Sequence, residues 1–360
     1  MNRLKKKNRF VITAVIVFML FSLCSCKNKN EEGEIVDPVP EETIIEPSKE
    51  GSEPAEKTYT LELTDEGQVI SYASDTYYRY GPSIMRNEDG SYDAWFSSPG
   101  NSGSQWDWLT YRHSDDGVNW SSEEIVLKPT PGSKDQCSVC DPAVIRFNGY
   151  YYLGYTATDY YEGQGSYNMA FVARSEYPDG PFEKWNGSGW GGSPEPIIYY
   201  DGAKENWGIG EVSFVIKDDD LFIYYSCVDV RDVYIGLAKA DLVDDWPATI
   251  RDKGPVLYQL NHDSVEVVYD EFRDCFFAFT IDGRMLDYSR VVLYVSDIGK
   301  EFVEVATLKD GIEDFAHNMG VSKSETGWID SRDEQIIGYA YGEKWGRWDM
   351  IMQKVRIDLK

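Results

Sequence analysis

Histidine is scarce in this chain: His113, His262 and His317 are the only three among 360 residues. One CxxC, at Cys137 and Cys140, has no second copy and no histidine nearby, which excludes the usual zinc-site patterns. Basic residues are also outnumbered, since 35 Lys and Arg face 62 Asp and Glu and leave a formal charge of −27. Nucleic acid demands a basic footprint, so it is excluded as a partner, and acidic polymers are disfavoured with it. The charge itself reads as solubility. Beyond one run at residues 10–23 there is no long apolar stretch, and no segment past it sustains a helical period. Setting aside Cys24 and Cys26, the body holds Cys137, Cys140, Cys227 and Cys275, too few for a disulfide scaffold. The CxxC reads as packing or one optional disulfide.

What is present begins at the N-terminus. Lys5-Lys6-Lys7-Asn8-Arg9 precedes the apolar run from Phe10 to Leu23, the order of a secretory signal and too short to cross a bilayer comfortably. Leu23-Cys24-Ser25-Cys26 looks like a bacterial lipobox, so residues 1–25 are expected to be removed and Cys26 to carry the lipid anchor. A plain signal peptide or an uncleaved anchor is the alternative. Residues 26–57 are rich in Glu, Pro, Ser and Lys without aromatic residues or apolar periodicity, and such a segment cannot bury enough surface to order itself. It is a tether. The expected location is extracytoplasmic, with the membrane reached only through the lipid.

Residues 58–360 contain a repeat: a short apolar strand opened by a small or acidic residue, a turn, then an aromatic strand ending in Ser or Thr. Copies open at Gly81, Asp141, Glu211, Asp263 and, more weakly, Asn318. Their second strands end at Ser97, Thr156, Ser226 and Thr280. Turns such as Asp89-Gly90 and Asn148-Gly149 mark hairpins, and a third strand pattern follows in each, as at Ala170 to Ser175. Antiparallel strands repeated every 50 to 70 residues or so predict an all-β, five-bladed β-propeller, with Tyr59 to Ile70 adding an outer strand to the last blade. Two stacked β-sandwiches are the competing architecture.

In a propeller the innermost strands converge on the axis, which would bring Gly81, Asp141, Glu211, Asp263 and Asn318 into one ring. Like charges raise one another's pKa, as a general acid requires, and glycoside hydrolysis needs one protonated and one ionised carboxyl. Loop tryptophans Trp106, Trp108 and Trp207 are candidates for stacking on a sugar's C–H face.

At Cys140-Asp141-Pro142-Ala143-Val144, Gly149-Tyr150-Tyr151-Tyr152-Leu153 and Gly210-Glu211-Val212-Ser213 the chain resembles glycoside hydrolase family 43 and its five-bladed relatives. The resemblance runs from about Tyr72 to the C-terminus. It implies that Glu211 is the general acid and that Asp141 tunes its pKa and orients substrate. For His317 and Asn318 it implies structural or substrate contacts near the axis. No cofactor is required, and a structural calcium at the funnel floor is the one ion the resemblance allows. The departure is Gly81-Pro82, where the family places its catalytic base Asp. Asp263, or else Asp75, is the expected substitute.

The expectation is therefore a divergent, monomeric glycosidase acting on pentose- or galactose-type oligosaccharides from plant or microbial polysaccharides. The alternative is a glycan-binding surface lipoprotein without activity. Ser114-Asp115-Asp116-Gly117-Val118-Asn119-Trp120 also resembles the Asp-box turn of six-bladed sialidases, but the ring positions offer no arginine to grip a sialic acid carboxylate.

Overall fold

A computed structural model describes residues 58–102, 105–158, 167–203, 206–230, 233–258 and 264–359. The signal, Cys26, the tether, His262 and Asp263 lie outside the described residues. Five antiparallel meanders follow in order. Blade 1 is Tyr80–Arg86, Tyr92–Ser102, Gln105–Ser114 and Glu124–Leu127, and blade 2 is Ser138–Phe147, Tyr150–Thr158, Asn168–Ser175 and Glu183–Lys184. Blade 3 is Gly208–Lys217, Asp220–Val228, Val233–Asp241 and Arg251–Tyr258, and blade 4 is Glu266–Asp270, Cys275–Asp282, Arg290–Ser296 and Val303–Leu308. Blade 5 takes His317–Lys323, Gln335–Lys344 and Arg347–Leu359 from the C-terminal end and Tyr59–Leu63 from the N-terminal end. Tyr59 pairs with Leu359 and Leu63 with Val355, so the two ends of the domain share one sheet and the ring is fastened shut. The fold is a five-bladed β-propeller, not a sandwich pair and not a six-bladed ring.

Large side chains fill the spaces between blades. Trp95, Tyr155, Phe171, Phe214 and Trp246 are fully buried in one continuous cluster, as expected for strands whose two faces are both covered. Blades 1 and 5 meet closely at Gly320, where an added Cβ would lie 1.8 Å from the Pro82 carbonyl oxygen.

Four innermost strands are interrupted at one equivalent place, with register shifts between Tyr80 and Ser83, Cys140 and Ala143, Gly210 and Ser213, and His317 and Gly320. At each bulge one residue adopts a left-handed backbone: Gly81 (φ 61°), Asp141 (48°), Glu211 (48°) and Asn318 (46°). Glycine takes this conformation freely, and other residues keep it only where surrounding contacts compel them. The Asp141 amide donates to Ser97 Oγ at 2.8 Å and the Glu211 amide to Thr156 Oγ1 at 2.7 Å. This explains Ser97 and Thr156 at the ends of the first two aromatic strands; Ser226 and Thr280 instead hydrogen-bond within their own blades, to the Gly210 and Ser264 carbonyl oxygens.

The fourth blade docks on the third through a serine. Ser213 Oγ accepts from the Val267 amide as Ser83 Oγ accepts from that of Val144, and Ser264 reaches the axis; Asp263 lies outside the described residues. The Asp-box turn is structural, because Asp116 accepts from the amides of Val118 and Asn119 at 2.8 and 2.7 Å. No disulfide joins Cys137, Cys140, Cys227 or Cys275, so the optional disulfide is not formed.

Candidate active site

Gly81, Asp141, Glu211, Ser264 and Asn318 line a narrow axial throat of about 30 Å³. Asp141, Glu211 and Asn318 also line an adjoining pocket of about 660 Å³, together with Tyr78, Tyr80, Trp106, Asp107, Trp207, Arg284, His317, Trp345 and Trp348.

Asn318 links the two catalytic candidates. Its Nδ2 donates to Glu211 Oε1 at 2.7 Å and to Asp141 Oδ1 at 3.2 Å. Its Oδ1 accepts from Arg284 Nη2 at 2.9 Å and from His317 Nδ1 at 2.7 Å. Arginine has only donors, so Arg284 fixes the orientation of the amide and His317 must carry its hydrogen on Nδ1. Burial, reinforced by the nearby Arg284 charge, lowers the His317 pKa to about 3. The ring is therefore neutral at physiological pH, and its Nε2 presents a lone pair.

Glu211 has a second contact. Ser226 Oγ lies 2.8 Å from Glu211 Oε2 and 3.2 Å from the Gly210 carbonyl oxygen. A hydroxyl has one hydrogen to give. Donated to Glu211, it supports the carboxylate; donated to Gly210, it leaves the Ser226 oxygen free to accept the proton of a neutral Glu211. The site can thus hold Glu211 in either state.

Asp107 is a third carboxyl group, unforeseen from the sequence. It accepts from Tyr78 Oη at 2.8 Å and Ser138 Oγ at 2.6 Å, and also from the Tyr80 hydroxyl. Burial raises its pKa, and these three hydrogen bonds pull it part of the way back. Burial also pushes the Cys140 thiol well up, with the Asp141 and Asp107 charges adding to the effect, so Cys140 is an inert wall of the pocket.

Of the residues singled out in the sequence, Asp141, Glu211, Trp106, Trp207, His317 and Asn318 meet at this pocket. Trp108 does not. Its ring is buried beneath the Lys128 ammonium and its Nε1 donates to Gln105 Oε1. Asp75 is exposed on a short helix, Ala73–Thr76, bonded to Ser74 and not lining the pocket. Calcium takes six to eight oxygen ligands, whereas His317 offers a nitrogen flanked by an amide and by the Trp348 ring. Among the described residues no group of three or more His, Cys, Asp or Glu side chains gathers as a cation site. The residues present do not fit a funnel-floor calcium.

No protein-family model matches the chain and no curated protein matches it. Solved structures do match. A family 117 glycoside hydrolase from the marine bacterium Zobellia galactanivorans is similar at a TM-score of 0.60 and 19% identity, covering 84% of this chain and 91% of its own. A thermostable family-43 glycoside hydrolase gives 0.56 and 15%, covering 81% and 92%. The α-L-arabinofuranosidase of Podospora anserina, in complex with cellotriose, gives 0.56 and 11%, covering 83% and 97%. The chain has the five-bladed β-propeller fold of these glycoside hydrolases.

Proposed function

We propose that the chain is a glycoside hydrolase acting on pentose- or galactose-type oligosaccharides, with Glu211 as proton donor, Asp141 orienting substrate and donor, and Asp107 as proton acceptor. One observation carries the reading: a single pocket gathers three carboxyl groups in unequal surroundings, and separated carboxyl environments are how one site holds an acid and a base together. Asp107 supplies the group that Gly81 cannot.

The pocket wall also suits a polyol. His317 Nε2 and Trp348 Nε1 are buried with no hydrogen-bond partner among the described residues, and their rings lie 4.5 Å apart. One is an acceptor and the other a donor. A sugar hydroxyl can serve both, and the adjoining aromatic faces suit its C–H side. Gly81 favours a second reading, a glycan-binding protein without turnover.

The purified protein, screened against aryl glycosides of xylose, arabinose and galactose, separates the two. Asp107→Asn should lower turnover by roughly 10²–10⁴-fold, with partial recovery on adding formate or azide as a substitute base. A base must be ionised, and burial raises the Asp107 pKa, so wild-type activity should fall on acidification sooner than for an ordinary carboxylate. Glycan binding without turnover by the wild-type protein would leave the binding reading. A loss in Asp107→Asn that no small anion rescues would reduce Asp107 to a support for Tyr78 and Tyr80.

The N-terminal motif supports a lipid-anchored position outside the cytoplasm. Cys26→Ser should move the protein from the detergent phase to the aqueous phase on partitioning; an unchanged distribution would refute lipidation at Cys26.

A further inference from the structure

Two exposed indoles meet over the pocket. Trp345 and Gly346 form a two-residue turn between Lys344 and Arg347 in blade 5, with Gly346 at φ 69°. Trp207 leads into the first strand of blade 3, where its carbonyl oxygen accepts from the Asn168 amide of blade 2. Blades 3 and 5 are not neighbours in the ring, yet the two indole centroids are 6.2 Å apart. Trp345 also packs edge-on against Trp348 at 5.2 Å, which continues the contact down to the pocket wall. Trp207 is 46% exposed and Trp345 66% exposed, so neither ring is placed there by core packing.

We propose that the Trp207–Trp345 contact is a bridge across the mouth that admits the end of a glycan and refuses its middle, making the protein act on chain termini. The proposal rests on the glycan-pocket reading above. An open groove lets a polymer lie across the carboxylates with both arms free. A bar between non-adjacent blades forces the sugar to enter beneath it, which only a terminus can do. The indole faces then stack on the units that remain outside.

The test uses the full chain carrying Glu211→Gln, so that ligands persist, titrated with linear xylo-, arabino- and galacto-oligosaccharides. Each is supplied with free ends and with bulky groups on both ends. Free-ended ligands should bind at least about tenfold more tightly than blocked ones, the scale on which pocket sterics discriminate. Adding Trp345→Ala should bring that ratio close to one. The residue sits at an exposed hairpin tip, so its loss does not threaten the core, and the same change at Trp207 should act alike. Equal binding of free and blocked ligands, or a preference that survives both substitutions, overturns the bridge. Binding of no oligosaccharide overturns the glycan reading on which it stands.

Discussion

Glu211→Gln should cut turnover of a glycoside with a poor leaving group by roughly 10²–10⁴-fold, the usual contribution of a positioned general acid. It should cut turnover of a dinitrophenyl glycoside far less. The contrast follows from the chemistry. A sugar alkoxide cannot depart without a proton, whereas a dinitrophenolate leaves unaided. The substitution is also conservative in place, because Gln retains the length, its amide oxygen can accept from Asn318 Nδ2 at the Oε1 position, and its amide nitrogen can donate to Ser226 Oγ at the Oε2 position. Equal losses on the two substrates would mean that Glu211 only shapes the pocket, and its assignment as proton donor would fall.

Lys323→Met is expected to be the most damaging single change to stability. Lys323 and Glu266 are 2% and 5% exposed, and Lys323 Nζ lies 2.5 Å from Glu266 Oε1. Ser213 Oγ donates to the same oxygen at 2.8 Å, and Lys323 reaches the Phe214 carbonyl oxygen at 3.4 Å. One lysine from blade 5 therefore ties to blades 3 and 4. Removing it leaves a buried carboxylate uncompensated, which costs about 3–5 kcal/mol. In a domain of this size the thermal midpoint should drop by about 10 °C. Pairing it with Glu266→Leu removes the stranded charge and should recover most of the loss. A single variant that melts within a degree or two of wild type would show that the pair does not contribute as buried ions.

Much of the ring was legible because it repeats. Gly81, Asp141, Glu211 and Asn318 recur at equivalent places, and the terminal Ser97 and Thr156 of the first two aromatic strands hold the next blade's bulge. Asp263, the fourth candidate of the ring, lies outside the described residues, and its neighbour Ser264 lines the axial throat. Asp107 and Trp345 were missed. Each lies in a hairpin that reaches the pocket, and nothing in the local pattern of Gln105 to Leu109 or Lys344 to Arg347 says that the two line it. Trp108 was misplaced because it stands two residues from Trp106 on one strand, and alternation gives both the same face.

The left-handed corners bear on how such a protein changes over generations. Four backbones of nearly the same shape carry hydrogen, carboxymethyl, carboxyethyl and carboxamide groups at Gly81, Asp141, Glu211 and Asn318. Their conformation is held by neighbouring strands, so it does not depend on what the side chain can do. These positions behave as sockets. The side chain at such a position can be exchanged by a single codon change while the backbone that carries it keeps its shape. The scaffold survives the exchange because no blade has to refold for the chemistry to move.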